Sequence, residues 1–261
     1  MIPCSEANPD EALAGTAPTR RFWWVIEHPG PWPAEAITES VVGDTTPWAL
    51  SENERPDTCV LLTRSRRDGD AHRRVWKADA QTGVLEIGSA TVDLPTLTAV
   101  DGTLTLVCTH GRRDQCCAVR GRPLVDAIPD ARECTHIGGH RFAPTILLLP
   151  HGIVLGRLSV REWDVAGSLG PEALPYYRGR VDLDAPTQIA DIEARRAWDL
   201  SLMDDVTSVL HHDEGDDRSY RVSWKGNTGL VHVTRSEGAI ITASCGAEPR
   251  LTPTWTVTRW E

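Results

Sequence analysis

Between Cys108 and His140 the chain concentrates four of its seven cysteines and three of its nine histidines. They fall in two short segments, Cys108-Thr109-His110-Gly111-Arg112-Arg113-Asp114-Gln115-Cys116-Cys117 and Cys134-Thr135-His136-Ile137-Gly138-Gly139-His140-Arg141-Phe142. Any fold of this sequence has to place these soft and borderline metal ligands close together or tolerate them as unused thiols and imidazoles. Leu104-Thr105-Leu106-Val107, a β-branched apolar run, leads straight into Cys108 and predicts a strand that delivers the cysteine to a loop.

The length, 261 residues, corresponds to one large or two modest domains and suffices for a sizeable core. A net charge of −10 argues against general binding to nucleic acid or anionic membranes, both of which need a basic surface. The longest stretch free of Asp, Glu, Lys and Arg is Phe142 to Gly156; it contains two prolines and falls short of the roughly 20 residues of a spanning helix. Arg20-Arg21 before Phe22-Trp23-Trp24 faintly suggests a twin-arginine export signal, but the apolar run ends at Glu27, too early for one. A cytoplasmic location is therefore expected. In such a reducing compartment seven cysteines, an odd number, are not a disulfide framework.

The fold class expected is α/β, with four regions: an N-terminal arm over 1–20, a β-rich region over 21–100, a core carrying the cysteine-rich loop over 101–205, and a β-meander over 206–261 packed on that core. The arm, rich in Ala, Pro, Asp and Glu, reads as loosely held. Strands are predicted at Phe22–Ile26, Cys59–Thr63, Val75–Lys77 and Val84–Ile87, and a helix at Pro33–Val42. Arg122–Ile128 reads as a short helix, and Thr145–Leu149 with Gly152–Leu158 as a hairpin. The clearest helix is Gln188–Leu202, from the spacing of Ile189, Ile192, Ala197, Leu200 and Met203. Alternation at Tyr220, Val222 and Trp224, and at Val231 and Val233, marks the meander.

His136 and His140 stand at i and i+4, but Gly138-Gly139 between them opposes a helix, and no Glu follows the first His, so a zinc-protease reading fails. A glycine-rich loop instead lets the backbone wrap a bulky object and aim N–H groups at it. An iron–sulfur cluster is such an object, since its sulfides accept backbone hydrogen bonds. This assigns Gly138 and Gly139 to cofactor binding.

The chain resembles the sucrase/ferredoxin-like proteins, which belong with the thioredoxin-like 2Fe–2S ferredoxins. The resemblance rests on Cys108 and Cys117 separated by eight residues, on the His-x-Gly-Gly-His box at His136–His140, and on its continuation through Arg141-Phe142-Ala143, Leu149-Pro150-x-Gly152 and Gly156-Arg157. Weaker echoes lie in Phe22–Trp32 and Ser244-Cys245-Gly246. It implies a thioredoxin-like ferredoxin core with added β-rich segments, and one 2Fe–2S cluster ligated by Cys108, Cys117, His136 and His140. It also implies an electron carrier rather than an enzyme, working with a redox partner protein. "Sucrase" in the family name supports no glycosidase activity, for which no paired carboxylates are placed.

Some assignments keep alternatives. Cys116 adjoins Cys117 and competes with it as a ligand. Cys108-Thr109-His110 hints at a Rieske site, but Cys134-Thr135-His136 has one residue too few between. His110 then reads as an outer-shell or loop residue, and Cys4, Cys59 and Cys245 as isolated structural cysteines. Eight Arg against five acidic residues between Cys108 and Glu162 make either a basic docking rim or a set of local ion pairs with Asp114, Asp126 and Glu133. Two neutral imidazoles in place of two thiolates reduce the anionic charge on a cluster, raise its potential, and offer nitrogens for proton-coupled redox. The competing functions are a structural Cys2His2 zinc module and a thiol oxidoreductase on a thioredoxin-like scaffold, which would use Cys116-Cys117 or a lone thiol.

Overall fold

Strands β1 (Phe22–Glu27) and β2 (Thr58–Arg64) each contain four consecutive buried residues, Trp23 to Ile26 and Val60 to Thr63. Continuous burial of this kind belongs to strands covered on both faces, and the two pair in parallel, Trp23 beside Cys59 and Val25 beside Leu61. The computed structural model describes residues 2–39, 47–65 and 73–261. Strands β3 (Arg74–Asp79), β4 (Val84–Ser89) and β5 (Thr98–Val100) extend the sheet outward from β1 by antiparallel pairing.

On the other side of β2 lies the unit that organises the molecule. Strand β6 (Leu104–Cys108) runs into helix α3 (Gln115–Ala127), which returns the chain to β7 (Arg132–Cys134), parallel to β6. A parallel return needs such a crossover helix. β7 also pairs antiparallel with β2, which joins the two halves of the chain in one sheet. The hairpin of β8 (Thr145–Leu149) and β9 (Ile153–Gly156), followed by β10 (Tyr177–Arg180), completes the far edge. Among the described residues the sheet has ten strands, ordered β10-β9-β8-β6-β7-β2-β1-β3-β4-β5. Short helices α1 (Cys4–Ala7), α2 (Trp48–Asn53) and α4 (Val160–Ala166) lie about it. The architecture is thus mixed α/β, built mostly of strands.

Helix α5 (Ala185–Ala197) links this sheet to a second one of four antiparallel strands, β11 (Thr207–Glu214), β12 (Asp217–Trp224), β13 (Asn227–Ile241) and β14 (Arg250–Trp260). Ile189, Ala190 and Ala194 of α5 pack against Tyr220, Val222, Val231 and Val233. The alternation expected of the meander is therefore its buried face. No helix among the described residues is long and apolar enough to cross a membrane.

Several local expectations shift. Helix α3 begins at Gln115, not Arg122, because the Asp114 carboxylate caps it by accepting the Cys116 amide at 2.9 Å. Helix α5 starts three residues early, capped by Asp184 onto the Thr187 amide. It stops at Ala197 rather than Leu202, since Asp199 adopts a left-handed φ of 53°. Met203, expected on its apolar face, is exposed. Over Pro33–Glu39 the chain makes turns, not a helix; Ser40–Val42 fall outside the described residues.

The N-terminal arm is not loose. Cys4 and Ala17 are buried, Arg157 donates to the carbonyls of Asn8, Pro9 and Glu11, and Arg141 pairs with Glu11. Alternation of apolar and polar residues is absent there, so its anchoring by distant arginines left no local trace.

The ion pair Asp191–Arg195, with both side chains essentially buried (1% and 0% exposed), fixes α5; Arg195 also donates to the carbonyls of Ser201 and Asp204. Asp191→Ala strands a buried guanidinium and should cost about 3–5 kcal/mol of unfolding free energy, measured by denaturant titration. A loss under about 1 kcal/mol would show that the charge escapes to water.

Candidate metal centre

Both ligand segments leave the sheet at the same end of adjacent parallel strands. Cys108 is the last residue of β6, Cys134 the last of β7, and the two are in register. His136 follows two residues later. Binding sites in α/β sheets form at the carboxyl ends of parallel strands for this geometric reason. The junction is tied by Thr109 N–H donating to the Cys134 carbonyl at 3.1 Å, and by Thr135, whose amide donates to the Leu62 carbonyl and whose hydroxyl accepts the Leu62 amide. Below it, the buried Glu133 carboxylate pairs with Arg64 and accepts from the Thr109 hydroxyl.

Helix α3 brings Cys117 to the same place. Gly121 allows the approach: a Cβ there would lie 2.3 Å from the Cys108 carbonyl oxygen. The Sγ atoms of Cys108 and Cys117 and a ring nitrogen of His136 all lie within 4.8 Å of one another. His136 Nδ1 is 4.0 Å from Cys108 Sγ and 3.9 Å from Cys117 Sγ. Both sulfurs are buried. A hydrogen bond from the Cys117 thiol, assisted by His136, pulls the Cys108 thiol well below its usual pKa despite burial, and the same bond holds the Cys117 proton tightly.

His140 stands beside this trio, its ring centroid 4.8 Å from that of His136. Its Nε2 faces Asp114 Oδ2 at 3.8 Å, and its Nδ1 is buried with no hydrogen-bond partner among the described residues. Burial, more than the neighbouring His136, lowers the pKa of His140 and keeps the imidazole neutral, the form that ligates metal. A buried, unpartnered nitrogen next to two thiols and a second imidazole is what a missing ligand bond leaves behind. Cys108, Cys117 and His136 thus form a group that could hold a metal ion, and His140 stands beside it.

Cys116 faces elsewhere. Adjacent helical residues diverge by about 100°, so its thiol points away from Cys117 and meets Cys4 and Cys245, at 3.6 and 3.4 Å. Cys4 and Cys245 are therefore not isolated, contrary to expectation; no local spacing could have revealed contacts across 112 to 241 residues. Cys134 and Cys59 line the core, and burial pushes the Cys59 thiol up to about 12. His110 is buried and donates from Nε2 to the Pro33 carbonyl at 2.7 Å, a structural bond.

The Gly138-Gly139 loop is held from behind by Arg178, which is 1% exposed. Its guanidinium donates to the Gly138 carbonyl at 3.0 Å and to both the hydroxyl and carbonyl of Thr16. Burial lowers its pKa to about 9, which leaves it charged at neutral pH, and the sulfurs of Cys108 and Cys117 favour that charge. A Cβ on Gly139, whose φ is 72°, would sit 2.3 Å from this guanidinium, whereas one on Gly138 (φ 112°) would meet only Pro18 at 3.9 Å. The close approach of Arg178 is by itself a steric reason for glycine at position 139.

The arginines of the segment pair largely with acids outside it. Arg113 meets Glu35, Arg120 meets Glu6, Arg132 meets Glu27 and Arg141 meets Glu11. Ion pairing takes up much of the local positive charge.

The geometry defines a protein that gathers two cysteines and two histidines where a crossover unit meets its sheet. The profile of the sucrase/ferredoxin-like family matches residues 13–165, which include all four, and the chain belongs to that family. No curated protein and no solved structure matches the chain.

Gly139→Ala should destabilise the fold by about 1–3 kcal/mol through left-handed strain alone, and by more through displacement of Arg178. Gly138→Ala lacks the second effect and should melt at a higher temperature than Gly139→Ala. Equal melting temperatures would remove Arg178 as the reason for Gly139.

Proposed function

We propose that this protein carries one 2Fe–2S cluster held by Cys108, Cys117, His136 and His140, and that it transfers single electrons to or from a redox partner protein in the cytoplasm. The observation that carries the reading is the convergence of the two sulfurs and the His136 nitrogen within 4.8 Å, beside the buried unpartnered Nδ1 of His140. The cluster supplies a one-electron store whose potential is raised by two neutral ligands. The thioredoxin-like reading of the core is supported by the parallel β6–α3–β7 crossover and the β8–β9 hairpin that follows it.

Each residue has a physical task in this reading. Cys108 supplies an anionic sulfur, favoured by Cys117 and His136. Arg178 places a buried positive charge behind the loop, which offsets the negative charge added on reduction and so favours the reduced state. Asp114 faces Nε2 of His140, so a proton held on that nitrogen sits against a carboxylate. A thiol oxidoreductase would need a solvent-reachable thiolate, and Cys108 is 1% exposed. A zinc module would use the same four residues, and colour separates the two.

Anaerobically purified protein should be red-brown, contain two irons and two sulfides at this centre, and give a 2Fe–2S EPR signal on reduction. Cys108→Ser and Cys117→Ser should lose most of the iron or shift the spectrum strongly, while Cys116→Ser keeps it. A colourless preparation from iron-sufficient cells would end the reading.

A further inference from the structure

Beside the centre just described lies a second group of ligand atoms, drawn from three parts of the chain. Cys4 comes from the N-terminal helix α1, Asp114 and Cys116 from the cap and first turn of α3, and Cys245 from the segment between β13 and β14. Their sulfur and carboxylate atoms all lie within 4.8 Å of one another. Cys4, Cys116 and Asp114 are buried, and Cys245 is half-buried.

We propose that Cys4, Cys116, Cys245 and Asp114 form a second metal site that binds one zinc ion. The proposal is independent of the iron–sulfur reading, since it shares no ligand with it. The first support is distance. Zn–S bonds of about 2.3 Å and Zn–O bonds of about 2.0 Å at tetrahedral angles place sulfurs about 3.8 Å apart and sulfur about 3.5 Å from oxygen. Cys4 Sγ is 3.6 Å from Cys116 Sγ, Cys116 Sγ is 3.4 Å from Cys245 Sγ, and Cys4 Sγ is 3.5 Å from Asp114 Oδ2. These sulfur–sulfur separations are far beyond the roughly 2.05 Å of a disulfide.

The second support is the direction of the surrounding hydrogen bonds. Two of the three sulfurs receive donors, as metal thiolates do, while the Cys4 thiol points at the Asp114 carboxylate: the Cys4 amide and the Gln115 side-chain amide point at Cys245 Sγ, at 3.4 and 3.7 Å, and the Ser5 hydroxyl at Cys116 Sγ, at 3.3 Å. Asp114 is oriented by the amides of Cys116 and Cys245, both at 2.9 Å, and by the Ser244 hydroxyl. Metal binding here would release the three thiol protons and leave three thiolates beside the Asp114 carboxylate, a charge that a divalent cation offsets. Zinc balances that charge, takes sulfur and oxygen ligands, and has no redox chemistry of its own.

The site staples both ends of the chain to the first turn of α3. It also fixes Asp114, whose Oδ2 lies 3.8 Å from His140 Nε2, so the zinc would position a residue of the neighbouring centre.

The test is metal counting on full-length protein purified anaerobically from medium containing iron and zinc. One zinc per chain is expected beside the cluster iron. Cys4→Ser and Cys245→Ser should each lose that zinc; Cys59→Ser should keep it; Cys108→Ser should lose iron but keep zinc. Should the first two variants fail to fold, cobalt added to zinc-stripped Cys108→Ser protein should give the absorption bands of tetrahedral, thiolate-bound Co2+ at one equivalent. Zinc well below one equivalent together with no such bands would overturn the proposal, as would a third iron in zinc's place. So would a Cys4–Cys116 or Cys116–Cys245 disulfide found by mass spectrometry in the anaerobic preparation.

Discussion

The parallel pairing of β6 with β7 is the contact on which the rest of the site depends. It sets Cys108 opposite Cys134, and so delivers the residues that follow each strand to a single edge. The 28-residue separation of Cys108 and His136 becomes a distance of 4.0 Å because one crossover helix closes the loop between them. Helix α3 then contributes twice, first by closing that loop and then by carrying Cys117 in its first turn. Gly121 is the point at which the packing of α3 on β6 leaves no room for a side chain. Burial of Glu133 against Arg64 locks the β2–β7 junction beneath the site, so the two halves of the sheet support one centre.

What could be read beforehand follows from how local each signal is. The strand into Cys108 and the strands at Phe22, Cys59, Val75 and Val84 rest on alternation or short apolar runs, which depend only on neighbouring residues. The meander was legible because one of its faces packs on α5. Cys108, Cys117 and the His136–His140 box stood out by spacing within a few dozen residues. The start of α3 was obscured because Cys116, in its first turn, is buried by contacts with the distant Cys4 and Cys245 rather than on a helical apolar stripe. The end of α5 was obscured for another reason: Leu200 and Leu202 stay buried after the helix has stopped, so apolar periodicity outlasts the helix.

The arm and the second cysteine group were illegible for a shared reason. Glu11 pairs with Arg141, Arg157 reads the carbonyls of Asn8, Pro9 and Glu11, and Cys4 meets Cys116 and Cys245. Each is a contact between segments more than 100 residues apart, and those of the arm to arginine use residue types common on any surface. Richness in Ala, Pro, Asp and Glu without apolar periodicity over residues 1–20 suggests a loose arm, because periodicity measures burial of hydrocarbon alone. Here the order comes from guanidinium groups that satisfy backbone carbonyls, a form of anchoring that leaves no periodic mark.

The pair Cys116-Cys117 shows how one helical turn separates two chemistries. Cys117 points into the core with Cys108 and Cys134, while Cys116 points to Cys4 and Ala143. Asp114, two residues earlier, lies between the two directions. Burial opposes its charge, but the amides of Cys245 and Cys116 outweigh that and hold its carboxyl below the ordinary range, so it stays an anion. An anion fixed between a thiol cluster and His140 Nε2 cannot move toward one without weakening its hold on the other. The two groups of ligands therefore share one carboxylate, which the N-cap of α3 holds between them.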